Sequence, residues 1–390
     1  MTVSDLPILI IGAGVAGLTL AHGLRHHSIP FRLFERYPRS RTLQGHRIRI
    51  TDEALRSALS PQLYGLLRNT TAEVQQFAPR YVDPRKLNYA NPTPVEPASI
   101  PVDRALLRML TALDIEDSVE YEREFESYEI VGEQVHVKFT DGSAVCGQLL
   151  VGADGLRSRV RKQLQPDRKL LNLERWILWG RTPLTEDLKS RLGQDLLSWC
   201  MYLDDGANNQ AVVEPMIWSK GVRQESGGRL PDFPDYAFWC ICTASFRFSG
   251  GLPIDVDEKR LFLEVVTKDW HPTLKLLFDS AAHEQSACVP ILSSKPDIDL
   301  RSAGQTGRVT LIGDAAHPMS PMGGSGGDTA IRSAADLVRT VADFGVTKHD
   351  IAMFEERMEE AAKLKILHSF AGGQKYWCGK EWTEYHEVDV

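Results

Sequence analysis

The chain has 390 residues, 43% of them hydrophobic and 25% charged, with a net charge of -7 and both signs scattered along its length. That is enough for a large core and two intertwined domains, and it offers neither the basic stripe of a nucleic-acid binder nor the polybasic run of an anionic-lipid binder. No apolar run approaches the roughly 18–20 residues that span a bilayer, no secretory pattern opens the chain, and Cys146, Cys200, Cys240, Cys242, Cys288 and Cys378 show no metal or redox spacing, so reduced thiols in a cytoplasmic protein are expected.

Ile8–Ile11 is a short continuous apolar run and predicts a buried parallel strand. Gly12, Gly14, Ala16 and Gly17 follow it. The first glycine suits a tight turn, the second lets backbone approach a pyrophosphate, and the third lets the helix through Leu18, Leu20, Ala21 and Leu24 pack closely on the sheet. Phe31–Phe34 then reads as a second strand, closed by Glu35 at the spacing of an acid that holds a ribose hydroxyl. This order of strand, glycines, helix, strand and acid predicts an adenine dinucleotide.

Pro79, Pro84, Pro92, Pro94, Pro97 and Pro101 mark an irregular excursion. Between 127 and 151 the pattern changes to period two, with Val135, Val137 and Phe139 alternating with polar residues and Asp141-Gly142 at a hairpin turn. An antiparallel meander inserted before a returning strand is unlike a plain NAD domain and like the FAD domains of the glutathione-reductase type. Residues 176–289 read as β-rich, with strands near Trp176–Trp179, Leu196–Leu203, Ala211–Trp218 and Ala237–Phe248 and a polar loop at Gly221–Asp232. These are expected to form one sheet over a small-molecule pocket, with sequence near 82–98 contributing. Val309–Ile312 is a buried strand, and Gly313-Asp314 at its end can set a carboxylate on ribityl hydroxyls. Pro318–Gly327 has little side-chain bulk and can lie against a flat ring, and Asp328–Phe344 reads as a helix whose N-terminus would face an electron-rich cofactor edge. A last amphipathic helix is expected over 350–370, and the tail Tyr376–Trp382 packs over the pocket mouth or against a second subunit.

Gly152-Ala153-Asp154-Gly155-Leu156-Arg157-Ser158-Arg159-Val160-Arg161, and Gly313-Asp314-Ala315-Ala316-His317-Pro318 followed by Pro321, Gly323, Gly324 and Gly326, resemble the two fingerprints of the single-component FAD-dependent aromatic hydroxylases. These are flavoprotein monooxygenases of the para-hydroxybenzoate hydroxylase-like kind, here in a short form. The resemblance covers essentially the whole chain, although 165–290 matches only in general character. It implies an α/β fold in which a glutathione-reductase-type, Rossmann FAD-binding domain with a β-meander is interleaved with a smaller β-sheet substrate domain and followed by a C-terminal helix. The expected division is 1–78, 100–175 and 290–345 for the FAD-binding domain, 79–99 and 176–289 for the substrate domain, and 346–390 for the helix and tail. It further implies bound FAD, NADPH or NADH as co-substrate without a Rossmann domain of its own, and O2. The family's C4a-hydroperoxyflavin would then hydroxylate or epoxidise a small electron-rich substrate, aromatic or polyketide-like, of secondary metabolism. An FAD-dependent oxidase or ring-rearranging enzyme on the same fold is the alternative. A monomer or homodimer, with no nucleic-acid partner, is expected.

The resemblance assigns Gly12, Gly14, Ala16, Gly17, Glu35, Arg47, Arg104, Asp154, Asp314, Gly324 and Gly327 to FAD. Arg104 would approach the phosphates and Arg47, in the loosely matching Gln44-Gly45-His46-Arg47, the adenosine through its main chain. For Asp154 and Arg161 the alternatives are pyrophosphate-loop organisation or a helix cap and an ion pair. Arg181 and Tyr202 are the catalytic candidates, Arg181 as a holder of phenolate or enolate or else as a strand-end surface arginine. His317 is expected to support its loop by hydrogen bonding. Two positions depart from the family pattern: Asp328 stands where it often has asparagine, and Arg332-Ser333 where it often has acids. A carboxylate at Asp328 turned inward would disfavour a reduced-flavin anion.

Overall fold

Ile8–Ile11 carries only apolar side chains because it is covered on both faces and both edges. Ile8, Leu9 and Ile10 are each 1% exposed or less, and burial of that kind contributes roughly 1.5–3 kcal/mol per side chain. The structure, a computed structural model, describes residues 6–40, 46–248, 250–300 and 307–390. Ile8–Ile11 is the middle strand of a five-stranded sheet that runs Val309–Leu311, Leu149–Gly152, Ile8–Ile11, Phe31–Glu35, Val119–Tyr121. Every pairing in it is parallel. The glycine turn, the Gly152-Ala153-Asp154-Gly155 segment and the Gly313-Asp314 segment therefore leave the carboxyl ends of adjacent strands, where open α/β sheets bind ligands. Helices Val15–His26 and Gly326–Phe344 pack on this sheet and on each other. The period-two segment forms the expected three-stranded meander, Phe125–Val131, Gln134–Phe139 and Ala144–Gly147, with Gly142 at φ 82° in the turn.

A seven-stranded, mostly antiparallel sheet covers the carboxyl ends. Its long strand Leu170–Pro183 lies between Ala287–Ser293 and Tyr236–Ala244, and Asn209–Met216, Cys200–Asp204 and Arg80–Val82 continue outward. Arg80–Val82 is the contribution of the proline-rich excursion. The middle of the chain is less β-rich than its sequence suggests. Helices occupy Glu186–Leu196, Val256–Val266 and Pro272–Asp279, and Leu196, read as the start of a strand, ends the first of them. The causes are local. Thr185 caps the first helix, which buries Leu188, Leu192 and Leu196 at four-residue spacing, and Asp255 and Glu258 form a capping box on the second. The loop at Gly221–Asp232 contains one short turn of helix, Val222–Glu225.

The C-terminal helix is longer than 350–370: it runs Lys348–Trp377, starting on the Thr347 cap. The tail turns back on its own subunit. Trp377 is 2% exposed, its carbonyl accepts from Arg175 Nη2 at 2.7 Å, and Glu387–Val388 pairs with Leu170–Leu171 at the end of the long strand.

Candidate cofactor and substrate site

Two cavities lie along the carboxyl end of the parallel sheet. The larger, about 740 Å³, is lined by Gly12–Gly14, Glu35, Arg36, Tyr37, Arg104, Arg108, Asp154 and Gly155 among others. The smaller, about 200 Å³, is bounded by His46, Arg47, Ile48, Arg104, Trp179, Phe238, Gln285 and Ala287. Arg104 lines both.

The glycine turn shapes the first cavity. Gly12 has φ +104°, and a Cβ on Gly17 would stand 2.0 Å from the Gly12 carbonyl oxygen, so strand and helix approach through backbone alone. A Cβ on Gly14 would meet no protein atom within 4 Å; that face of the turn is open to the cavity. Glu35 is held against the turn: one carboxylate oxygen accepts from Ala13 N at 2.9 Å and the other from Tyr37 N at 3.1 Å. Ala16 would be 2.9 Å from a Cβ on Gly313, which brings the Gly313-Asp314 segment against the first helix. Asp314 has an exposed surface, yet protein encloses it closely enough that burial raises its pKa, opposed by Arg104 and Arg161. Gly324, at φ +60°, closes a tight turn, and Gly327 lies in the first turn of helix Gly326–Phe344, which lacks a side-chain cap from Ser325. The N–H groups there suit an anionic edge of a ligand.

Asp154 lines the larger cavity but spends its carboxylate on the following helix, accepting from Ser158 Oγ at 2.5 Å and Arg159 N at 2.8 Å. The helix-cap alternative describes it. Among the described residues Arg161 makes no ion pair; it donates to the carbonyls of Leu156, Asp314 and Ala315. Arg168 adds a bond to the carbonyl of Ala316, so two buried guanidinium groups staple three successive carbonyls of the second fingerprint. His317 does not support this loop through its ring. It is 1% exposed and, among the described residues, neither ring nitrogen has a hydrogen-bond partner. Burial pushes its pKa down to about 4, with Arg168 adding to the effect. The support comes instead from its backbone N–H on the Gly313 carbonyl, 2.9 Å away.

Other expected residues lie elsewhere. The side chain of Arg47 lines the smaller cavity and pairs with Glu214 of the seven-stranded sheet; its neighbours Gln44 and Gly45 are outside the described residues. Arg181 lies over the ring of Tyr236 at 4.3 Å and pairs with Asp103 at 3.3 Å. It is a half-buried tie between layers and lines neither cavity. Tyr202 is fully buried, bonded to the Tyr89 hydroxyl at 3.0 Å, its pKa raised by that burial, and it touches neither cavity. Sequence reasoning missed His46, Asp103, Glu214 and Gln285. Asp103 carried a signal, since an Asp just before an apolar-periodic helix is an N-cap, and Glu214 was an acid inside the apolar strand Ala211–Met216.

Asp328 is turned away from the groove. Its carboxylate accepts from Thr51 N at 2.9 Å, Thr51 Oγ1 at 2.5 Å and Arg332 Nε at 2.8 Å, and Arg332 continues to Glu53. The two departures from the family pattern thus answer each other across one helical turn. Asp328→Ala is expected to lower stability by roughly 1–3 kcal/mol and to be non-additive with Arg332→Ala by about 0.5 kcal/mol or more. Additive losses in a denaturant double-mutant cycle would mean the two residues act separately.

The parallel sheet, the glycine turn with its acid, and the carboxylate at the end of Val309–Leu311 define a Rossmann-type FAD-binding oxidoreductase fold. The chain belongs to the FAD binding domain family, whose model matches residues 5–177 and 299–347. Among its relatives, the FAD-dependent monooxygenase dbaB of Emericella nidulans is 35% identical over 87% of this chain and 88% of that protein. The dual O-methyltransferase/FAD-dependent monooxygenase elcB of Phaeosphaeria nodorum is 31% identical over 99% of this chain. The chain spans 47% of that relative's length and so about half of it. Of the solved structures, HpxO of Klebsiella pneumoniae complexed with FAD and uric acid shares the fold with a TM-score of 0.78 at 19% identity, over 95% of this chain and 89% of that chain. The 2,6-dihydroxypyridine-3-hydroxylase of Arthrobacter nicotinovorans does so with 0.76 at 14%, over 100% and 98%.

Proposed function

We propose that this chain is an FAD-dependent monooxygenase that uses NADPH or NADH and O2 on a small electron-rich molecule, aromatic or polyketide-like. The observation that carries the proposal is the pair of cavities meeting at Arg104: a long groove that fits the nucleotide half of FAD, and a small one roofed by Trp179 and Phe238 of the second sheet. The division into an FAD-binding part (1–78, 100–175, 290–345), a substrate part (79–99, 176–289) and a C-terminal part (346–390) belongs to the same proposal.

The residues fit the cofactor. The open face of Gly14 admits a pyrophosphate, Glu35 stands at the ribose position, Arg104 offers charge to the phosphates, and Asp314 with the first turn of Gly326–Phe344 faces the remainder. FAD, when bound, supplies the redox chemistry with NAD(P)H and O2. The protein's part is to orient the substrate between aromatic walls and to exclude water. Among the described residues no group of His, Cys, Asp or Glu has metal-site geometry, and no helix is long and apolar enough to cross a membrane.

The test is the visible spectrum of the purified protein, followed anaerobically after NADPH addition and again after air. Oxidised-flavin bands that bleach and then return are expected. Protein that holds no flavin after incubation with FAD would overturn the proposal, and bound flavin that NADPH does not bleach would favour the oxidase or ring-rearranging alternative or a reduction gated by the missing substrate.

A further inference from the structure

One wall of the smaller cavity is tied together by an imidazole that the mechanism above does not use. His46 stands immediately before the strand Arg47–Thr51, and its carbonyl accepts from Arg104 N at 2.9 Å. Its ring is held at one nitrogen. Arg181 Nε donates to Nδ1 at 3.0 Å, and Gln285 lines the same cavity. Arg181 is anchored in turn. Its Nη2 lies 3.3 Å from Asp103 Oδ2, the oxygen that also accepts from Tyr236 OH at 2.7 Å. The other oxygen of Asp103 caps the helix that begins with Arg104, accepting from Ala105 N at 2.8 Å and Leu106 N at 3.1 Å.

This connectivity dictates the state of His46. A guanidinium Nε–H can only donate, so Nδ1 must present a lone pair. The single proton of the neutral ring then sits on Nε2. A proton on Nδ1 would set N–H against N–H. The charges facing the ring are Arg181 and Arg104, with Asp103 and Tyr236 behind Arg181 and the Arg47–Glu214 pair alongside. Burial, then Arg181, holds the pKa of His46 down to about 3.

We propose that His46 is a positioning residue: as a neutral Nε2–H imidazole it joins Arg181 of the second sheet to the segment leading into Arg47–Thr51, and so fixes the wall of the cavity against Arg104. This rests on the reading that the cavity receives flavin and substrate. It assigns Arg181 a different task from anchoring a substrate anion, since the guanidinium is already committed to His46 and Asp103.

The test uses the full chain, with and without FAD. Side-chain ¹⁵N NMR of histidine-labelled protein should show one imidazole, absent from His46→Asn, that stays neutral and protonated at Nε2 from pH 8 to pH 5. In Arg181→Met, where the donor to Nδ1 is gone, the ¹⁵N shift of Nδ1 should move to that of an unbonded ring nitrogen. An Nδ1–H tautomer, or ordinary titration in the wild type, would sink the proposal. An asparagine amide oxygen can occupy the place of Nδ1, whereas glutamine reaches only the place of Nε2. His46→Asn should therefore bind FAD within about threefold of the wild type and keep its flavin circular dichroism in the visible. His46→Gln should bind at least tenfold more weakly or change that signal. Equal losses in both variants, with unchanged flavin spectra, would reduce His46 to a packing residue. The NMR result on FAD-free protein stands even if the protein never binds flavin, so failure of the latch and failure of the flavoprotein reading are separable.

Discussion

Gly17→Val is expected to give protein that holds no flavin and melts well below the wild type. The residue has ordinary backbone angles, so conformational freedom is not the issue. Space is: a Cβ would stand 2.0 Å from the Gly12 carbonyl oxygen and 3.3 Å from the Ala153 side chain. Neither Gly12 nor Ala153 can retreat. Gly12 is at φ +104°, and a Cβ there would itself stand 2.5 Å from the Ala153 carbonyl. The first helix would have to lift off the sheet, uncovering Leu18, Leu20 and Leu24, each 3% exposed or less. Overpacking against side chains costs about 1–3 kcal/mol, and against fixed backbone it should cost more, about 3–5 kcal/mol. Gly14→Val is the contrasting variant. Its Cβ meets no protein atom within 4 Å, so the FAD-free protein should melt within about 2 °C of the wild type, while its FAD affinity falls at least a hundredfold because the side chain stands where the pyrophosphate must approach. Thermal melts with an FAD titration read both. A Gly14→Val protein that binds FAD normally would remove the cofactor from this groove.

What was legible in the sequence is what depends on short-range backbone chemistry. The glycine turn, the Asp141-Gly142 hairpin and the Gly313-Asp314 segment follow from which residues tolerate close approach or a left-handed turn, and each is complete within a few positions. The strand Arg47–Thr51, with Arg47 and Arg49 on one face, was not read from the sequence. Glu214 lies on a strand of the other sheet, and only the fold brings it to them. The tautomer of His46 is likewise non-local, because it depends on Arg181 of the second sheet. The helices at Glu186–Leu196 and Val256–Val266 are a different case. Their caps and four-residue spacing were present in the sequence, but the surrounding aromatic strands dominated the reading.

These non-local ties share one feature. Arg181 with Asp103 and His46, and Glu214 with Arg47 and Arg49, all join the second sheet to the paired strands Arg47–Thr51 and Ser99–Asp103 or the residue before them. The cavity is thus built where two layers are bonded by charge, while the apolar core lies to either side. Charged ties of this kind contribute little net stability, but removing one partner is costly because the other remains buried.

The largest loss among them is therefore expected from Glu214→Gln. Glu214 has a side-chain exposure of 1% and is the carboxylate that both Arg47 and Arg49 contact, with Arg49 Nη1 at 2.5 Å. Arg49 is itself strongly desolvated: burial lowers its pKa, and Glu214 is the main influence raising it again. Glutamine keeps the shape and one acceptor oxygen but leaves two guanidinium groups facing each other without a counter-charge. Arg49 retains Ser99 and the ring of Trp199, 3.9 Å away; Arg47 retains the ring of Phe238 at 5.2 Å. Breaking a buried pair from one side costs about 3–5 kcal/mol, which for a chain of this length should lower Tm by roughly 4–6 °C. The arginines decide whether charge is the cause. If it is, Arg49→Met in the Glu214→Gln background should recover part of the loss, because it removes the uncompensated cation. If the second substitution only adds to the first, Glu214 acts through its shape and hydrogen bonds, and the charge argument for this layer contact fails.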